Sequence, residues 1–280
     1  MLVITDLPDI MDKRENWPIG AASMRRWFSR PAHTMSMDVK TGRTPMDMLP
    51  ASLLDGGILT MDWALSFTRV LMAYNTLIAE KWRNPAAIGQ MGVRVRASIA
   101  AGAGGQVKPG KSWRFGNLAA PAAIVDRTSQ VNFIVVGDVR DPLDDFYGAV
   151  GKGTLNVAVA GAATKLPGGK LRLVVDTLGV YLHDTYDFIG QQPLGVWTEK
   201  GIDRSMWDEL INYYISRYPP IAIEPPDPRT AGKVDPDKRY SVSNADFNRY
   251  REKFSVGGDF VNASDIKIVR LPSPQTFELA

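Results

Sequence analysis

The chain has 280 residues, of which 45% are hydrophobic and 22% are charged, and its formal net charge at pH 7 is +3. This composition is typical of a globular protein with one large domain or two small ones, and it excludes collagenous, coiled-coil and disordered chains. The near balance of charge does not mark a nucleic-acid binder, so we expect no nucleic-acid partner. The lack of cysteine excludes disulfides, thiolate metal sites and cysteine nucleophiles.

The N-terminal segment indicates where the chain is made. Residues 1–18 contain four acidic residues and no basic stretch followed by an apolar one, which is unlike a signal peptide. No apolar run approaches the roughly 18 residues that span a bilayer. We therefore expect a soluble chain made in the cytoplasm, which would need a secretion system to act in the periplasm.

Helices are predicted first along the chain. Residues 17–29 form an apolar pattern that Pro31 stops. The strongest helical periodicity covers Asp62–Arg83, with Asp62 as the predicted cap and Asn84-Pro85 as the predicted end.

From residue 91 the apolar period changes to two, which predicts strands. These segments are joined by short turns, such as Pro167-Gly168-Gly169, and short turns indicate antiparallel neighbours. The predicted strands are Met91–Arg96, Val131–Val136, Leu155–Val159, Leu171–Val175 and Leu178–Leu182.

The C-terminal third returns to helices and ends in a strand. We predict a helix over Ser205–Arg217, a proline-rich surface loop over Pro219–Asp237, and a helix over about Ser243–Lys253. Phe260–Leu271 is predicted as the last strand. The order of helices, then a strand meander, then helices and a strand predicts an α+β fold. We expect one domain over 1–280, helical to about residue 90 and sheet-rich from about 91 to 280.

Residues Gly105–Ser112 match the P-loop pattern G-x-x-x-x-G-K-S, in which Lys111 and Ser112 would contact phosphates and magnesium. A P-loop needs a helix directly after the lysine, and Pro121 follows too soon for a long one. We favour a hairpin loop rich in glycine and lysine.

Histidine chemistry is limited to His33 and His183, and no H-E-x-x-H or G-x-S-x-G motif occurs. His33 lies in a proline-flanked loop and is interpreted as an ordinary polar residue. Basic residues alternate with aromatic ones in Arg25–Phe28 and Asn248–Phe254, which we interpret as solvated helix faces above packed aromatic rings.

A short segment at a strand end, from His183 to Phe188, concentrates polar chemistry. In a continuing strand Asp184 and Tyr186 would share one face, whereas a turn at Thr185 would bring Asp184, Tyr186 and Asp187 to one rim. Two carboxylates could share a magnesium ion, or one could act as a general base on water. The alternative is a hairpin end in which the aspartates cap backbone amides and the tyrosine packs on the sheet.

The stretch Asp184-Thr-Tyr186-Asp187-Phe188 resembles the D-x-Y-D signature of the colicin M family. Those bacteriocins cleave the undecaprenyl-pyrophosphate lipid II in the periplasm. The resemblance implies an α+β fold around a curved, open, half-barrel-like sheet, with magnesium as cofactor. It implies that Asp184, Tyr186 and Asp187 are functional, with Asp184 and Asp187 as metal ligands.

The colicin M signature continues to a His-Arg pair, whereas this chain has Gln191–Trp197 in that place. In a site of this kind the base would come from His183. The phosphate clamp would come from Arg204 or Arg251.

The chain as a whole is similar to an uncharacterised bacterial family often encoded near type VI secretion genes. Three pieces carry this resemblance, and they span most of the chain. They are Trp17–Phe28, Asp184–Trp197, and Asn244–Phe247 together with Gly257–Phe260 and Ser264-Asp265. The resemblance implies a role in competition between bacteria.

These observations leave three functional hypotheses. The first, which we favour over the second by a small margin, is an antibacterial effector that hydrolyses a lipid-linked pyrophosphate such as lipid II, with a membrane surface or a lipid-linked precursor as partner. The second is a non-catalytic adaptor or immunity protein that binds a partner toxin or the secretion apparatus. The third is a P-loop nucleotide binder, which we favour least.

Overall fold

The structure, a computed structural model, describes residues 2–101, 110–207, 211–212 and 239–279. The helices of these residues are α1 (Leu7–Lys13), α2 (Pro18–Phe28), α3 (Met37–Lys40), α4 (Met61–Ala64), α5 (Thr68–Ala79), α6 (Pro85–Ala100), α7 (Ala122–Thr128), α8 (Asp145–Ala149) and α9 (Asn244–Phe254). The strands are β1 (Leu54–Asp55), β2 (Ser112–Phe115), β3 (Gln130–Val136), β4 (Gly153–Lys165), β5 (Leu171–Tyr186), β6 (Pro193–Thr198), β7 (Gly201–Ile202), β8 (Tyr240–Ser243), β9 (Phe260–Ala263) and β10 (Lys267–Leu279). The predicted α+β class is confirmed.

The chain divides into two compact units, each built from three separate stretches. Unit 1 consists of Met1–Ser36, Gly137–Lys152 and Thr185–Phe260, and unit 2 of Met37–Val136, Gly153–Asp184 and Val261–Ala280. The boundary crosses β5 directly after Asp184. The prediction of one domain over 1–280 stays a prediction.

A mixed sheet, of seven strands in the described residues, dominates unit 2. Its order is β1-β9-β5-β4-β2, with β3 also on β4 and β10 also on β5. The neighbours β3, β4 and β5 are antiparallel, whereas β1 and β9 are parallel. The sheet curls into an open half-barrel, which confirms the expected curved and mainly antiparallel sheet.

Two helices of unit 2 pack on this sheet. Both α5 and α6 contact β3, and α5 also contacts β4. The Asn132 side chain donates a hydrogen bond to the Lys81 carbonyl at 2.9 Å, and Arg94 Nε donates to the Gln130 carbonyl at 3.2 Å. The predicted packing of N-terminal helices on the sheet is therefore confirmed.

The predicted strand Met91–Arg96 is wrong, because these residues lie within α6. The Asn84 side chain accepts a hydrogen bond from Ala87 N at 2.9 Å, and Pro85 occupies the first helical position. Ala87, Met91 and Val95 are buried, at helical spacing, whereas Val93 is 57% exposed. Val93 created the apparent period of two, and the helical region extends to Ala100.

The predicted helix Asp62–Arg83 is three elements rather than one. They are α4, α5 and a short 3-10 turn at Lys81–Arg83. Thr60, and not Asp62, caps α4, because its hydroxyl accepts a hydrogen bond from Trp63 N at 3.3 Å. Asn84-Pro85 begins the next helix as well as ending this region.

Unit 1 combines helices with a small sheet. Helix α2, predicted over 17–29, packs against α1 and α8. Strands β7, β6 and β8 form an antiparallel sheet in that order. Ser243 and Asp246 form a capping box at the start of α9, as the sequence predicts.

The remaining C-terminal predictions have mixed outcomes. The predicted strand Phe260–Leu271 is two strands, β9 and β10, and the segments Leu171–Val175 and Leu178–Leu182 form the single strand β5. The predicted helix Ser205–Arg217 lies mostly outside the described residues, and the loop Pro219–Asp237 lies wholly outside them.

Candidate functional site

The end of β5 has no turn at Thr185, since the strand continues to Tyr186. Strand alternation therefore separates His183 from Asp184. Asp184 is only 6% exposed and lies on the face of Val180 and Leu182, which are fully buried. His183 is half-buried on the opposite face. The predicted base and the predicted carboxylate thus lie on opposite faces of one strand.

Tyr186 is a core residue of unit 1. Its ring stacks on Phe260 at a centroid distance of 5.3 Å and meets Phe188 edge-on at 5.6 Å. Phe188 in turn stacks on Phe247 at 3.8 Å and meets Trp27 edge-on at 5.0 Å. We name these five rings the aromatic cluster. Tyr186 is 7% exposed, so its ring has the packing that the hairpin-end alternative predicted.

Arg251, one of the two predicted phosphate clamps, is buried in an ion pair of unit 1. Its guanidinium donates to Asp259 at 2.7 Å and to the His33 carbonyl at 2.7 Å. The Asp259 carboxylate is fully buried and also accepts from Trp27 Nε1 at 3.3 Å and from Met35 N at 3.1 Å. The sequence predicted a solvated helix face over Asn248–Phe254 in α9, and this prediction is wrong at Arg251.

Asp259 was missed by the sequence analysis, although it lies in the quoted piece Gly257–Phe260. The sequence signal for this residue was its position between Gly257-Gly258 and Phe260. Buried charges are normally paired and hydrogen-bonded, and Asp259 satisfies this rule with three donors.

Arg204, the other predicted clamp, lies in unit 1 beside α1. It forms an ion pair with Glu15 and lies over the Trp17 ring at 5.9 Å. Glu15 also accepts a hydrogen bond from Ile202 N at 2.7 Å. Asp187, which follows the end of β5, is half-buried in the same unit.

His183 has a different acidic neighbour from the one that the sequence suggested. Burial lowers the pKa of His183 below its usual value, and the Asp126 carboxylate acts in the opposite direction. The same carboxylate accepts a hydrogen bond from the Tyr181 hydroxyl at 2.5 Å. Burial and this carboxylate raise the pKa of Tyr181 well above its usual value, so the phenol keeps its proton. The signal for Tyr181 was one hydroxyl in the otherwise aliphatic segment Leu178–Leu182.

The His183 face of the sheet ends in exposed apolar residues on β3. Two rows of neighbours form it across β3, β4 and β5, namely Val135–Thr154–His183 and Phe133–Asn156–Tyr181. Phe133 is 51% exposed and Val135 is 49% exposed. We name these two exposed side chains the Phe133–Val135 face. Strand β3 carries no charged residue, so these two side chains form an exposed apolar pair on a chain that is 22% charged.

The P-loop pattern is only partly within the described residues, because 105–109 lie outside them. Gly110 N donates to the Lys165 carbonyl at 2.9 Å, and Ser112 begins strand β2, which pairs antiparallel with β4. Lys111 therefore precedes a strand instead of opening a helix. This contradicts the helix that a phosphate cradle needs and supports the favoured hairpin.

The expected magnesium ligands do not lead to a defined metal site. Asp184 belongs to unit 2 and Asp187 to unit 1. Among the described residues, no group of three or more His, Cys, Asp or Glu side chains is placed to hold a metal ion. We therefore derive no step through magnesium. Likewise, no helix in the described part of the chain is both long and apolar enough to cross a membrane.

Comparison with known proteins gives one result. Neither the curated proteins nor the solved structures contain a match to this chain. A family of unknown function, DUF6402, matches residues 2–279. Because the match covers nearly the whole sequence, the chain belongs to the DUF6402 family.

Proposed function

We propose that this protein acts by binding a partner protein, as a non-catalytic adaptor or immunity protein associated with type VI secretion. The observation that carries the proposal is the exposed, uncharged Phe133–Val135 face. Exposed apolar patches on an otherwise polar surface are typical of protein interaction sites. The partner would be the product of a neighbouring gene, as the resemblance to a secretion-linked family implies.

The proposal is supported by the structural roles of Tyr186 and Arg251, two of the residues predicted to act on a substrate. The Tyr186 ring packs between Phe260 and Phe188, and Arg251 is paired with Asp259. These contacts stabilise unit 1 by burying an aromatic ring and by pairing a buried charge. A structural role therefore explains why the chain has these two residues, and no substrate contact is needed to explain them.

The partner would contact the face of β3 rather than extend the sheet at its edge. Phe133 N is already hydrogen-bonded to the Asn132 side chain at 2.9 Å, and the Gln130 carbonyl accepts from Arg94. Such side-chain bonds protect an edge strand from pairing with another chain. The exposed side chains of Phe133 and Val135 are left as the contact surface.

The test is co-expression with the products of neighbouring genes, followed by affinity purification and size-exclusion chromatography. Phe133→Glu and Val135→Glu should each abolish a stable complex. The matched controls are Phe254→Glu and Val93→Glu, because these residues are 53% and 57% exposed. The proposal fails if no neighbouring product forms a complex, or if the control variants weaken it equally.

The lipid-pyrophosphate hydrolase is the second proposal, and one observation favours it. His183 has a lowered pKa, so its imidazole is neutral near pH 7 and able to accept a proton, with the Asp126 carboxylate nearby. In this proposal His183 acts as the base, and Asp184 and Asp187, the carboxylates that the colicin M resemblance implies, would act on the pyrophosphate. Because Asp184 is buried on the face of β5 opposite His183, this proposal ranks second. The partner would be a lipid-linked precursor at the membrane surface.

A periplasm-directed form of the protein separates the two proposals. The hydrolase predicts toxicity that Asp184→Ala and Asp187→Ala abolish while the circular dichroism spectrum is unchanged. Asp38→Ala is the control, since that side chain is 61% exposed. Absence of toxicity, or toxicity that survives both changes, refutes the hydrolase and leaves the binding proposal standing.

A further inference from the structure

One end of the large sheet in unit 2 is basic. Strand β2, the hairpin of β4 and β5, and the end of β10 meet there, through the register pairs Ser112–Thr164 and Leu171–Leu279. Residues 110–116, 161–176 and 275–279, which form this end, contain five basic residues and two acidic ones. Their net charge of +3 equals that of the whole chain, so the rest of the chain is neutral overall.

Both acidic residues at this end of the sheet are already paired with arginines. Asp176 forms an ion pair with Arg114 across the sheet. Glu278 forms an ion pair with Arg172, with a closest N–O distance of 2.7 Å. The remaining basic residues are three lysines, and these strands offer them no further carboxylate.

Two backbone hydrogen bonds bring the three lysines to one turn. Leu166 N donates to the Lys170 carbonyl at 2.8 Å, which closes the turn between β4 and β5. Gly110 N donates to the Lys165 carbonyl at 2.9 Å, which places Lys111 beside the same turn. We name Lys111, Lys165 and Lys170 the basic tip.

The basic tip is accessible from solvent. Lys111 and Lys170 are exposed, and Lys165 is half-buried. An added Cβ at Gly168 or Gly169 would meet no atom within 4 Å, so the turn has open space around it. The φ angles of these two glycines, 72° and 79°, are adopted by glycine without strain, which allows the turn to be this short.

An anionic lipid surface fits the basic tip better than a protein or a nucleic acid does. A specific protein interface buries more than about 1,000 Å² and has few lysines at its centre, whereas the tip is a single hairpin turn of lysine and glycine. Residues 164–172 contain no aromatic ring that could stack on a base. Lysine is a compact point charge, and its attraction to an anionic bilayer needs no matched contact geometry.

We propose that the basic tip docks unit 2 on an anionic phospholipid surface. This inference goes beyond the proposed function and depends on neither of the proposals made there. The tip and the Phe133–Val135 face lie at opposite ends of β4, because Thr154 is the register partner of Val135 whereas Lys165 ends the strand. The strand rises about 36 Å between Thr154 and Lys165, so a partner protein and a membrane can be bound at the same time.

The test measures co-sedimentation of the full chain with vesicles of phosphatidylcholine alone, or of phosphatidylcholine with about 30% phosphatidylglycerol. We expect binding to the anionic vesicles only. Binding should be lost between about 0.1 M and about 1 M salt, because the Debye length falls from about 10 Å to about 3 Å. Each lysine near an anionic bilayer strengthens binding about fivefold, so Lys111→Gln/Lys170→Gln should bind about 25-fold more weakly.

Lys152→Gln/Lys200→Gln is the matched control, because both lysines are exposed, lie outside the basic tip and remove the same total charge. Its binding to anionic vesicles should stay within about twofold of that of the unaltered chain. Three results would overturn the proposal: no binding to anionic vesicles, equal binding to neutral vesicles, or an equal loss in the control variant. Tighter binding of a short DNA duplex than of anionic vesicles at the same ionic strength would also overturn it, because the partner would then be a nucleic acid. All four substituted lysines are exposed, so circular dichroism should show unchanged folding in both variants.

Discussion

The ion pair between Arg251 and Asp259 distinguishes a structural role from a substrate clamp. Its closest N–O distance is 2.7 Å, and the two side chains are 9% and 0% exposed. Arg251→Met leaves the carboxylate buried without its arginine. Removing one partner of a buried pair costs about 3–5 kcal/mol, so we expect the free energy of unfolding to fall by that amount.

The pair between Arg172 and Glu278 is a matched control. Its closest N–O distance is also 2.7 Å, but its side chains are 49% and 54% exposed. An exposed pair contributes about 0–1 kcal/mol, so Arg172→Met should lower the free energy of unfolding by no more than that. The two substitutions are the same in chemistry and differ in burial.

The assay is urea denaturation at pH 7, followed by tryptophan fluorescence, because Trp27 lies against this pair. The double variant Arg251→Met/Asp259→Asn should be more stable than Arg251→Met alone, since it leaves no lone buried charge. A loss below about 1 kcal/mol in Arg251→Met, together with loss of toxicity or of partner binding, would refute the structural role.

Three further predictions concern single side chains. Tyr186→Ala should lower the free energy of unfolding by about 3–5 kcal/mol because it removes a packed ring, whereas Tyr186→Phe keeps the ring and should lower it much less; a folded but functionally dead Tyr186→Phe would indicate a catalytic hydroxyl instead. Asn262 is fully buried, and within the described residues its amide has no hydrogen-bond partner, so Asn262→Leu should raise the free energy of unfolding by about 1–3 kcal/mol in urea denaturation. A destabilised variant would show that the amide is bonded. The folded-state pKa of His183 is lowered by burial, so its contribution to stability is present above the unfolded pKa of about 6.5 and is lost as pH falls through the folded pKa. His183→Gln should reduce the loss of stability on acidification, and an identical pH profile would contradict the burial argument.

The sequence predicted those parts of the fold whose signals are local. The strand meander from Val131 to Leu182 and the capping box of α9 follow from period-two alternation and from side-chain spacing, and both are confirmed. The errors came from competing local signals. In α6, Val93 imitated a strand pattern although Asn84 and Pro85 begin a helix there. The three apolar residues among Met91–Arg96 fit a strand period and a helix period, and their burial decides between the two.

The candidate site was less predictable because its contacts are not local. Asp126 and Tyr181 are 55 positions apart, and the carboxylate of Asp126 also affects the pKa of His183. Arg251 reaches Asp259 across the end of α9, and Trp27 reaches the same carboxylate from 232 positions away. Spacing along a chain cannot reveal pairings that depend on which elements pack together.

The motif-like stretches of this chain are better explained by the core of unit 1 than by chemistry. Trp27, Tyr186, Phe247 and Phe260 come from the separate pieces that carried the family resemblance, and they meet in the aromatic cluster. An aromatic core needs large rings at fixed positions, so it leaves a sequence signature as specific as that of an active site. Functional residues are therefore better sought among side chains whose exposure or chemistry has no role in the packing of the core. Exposed Phe133 and Val135 meet that criterion in unit 2.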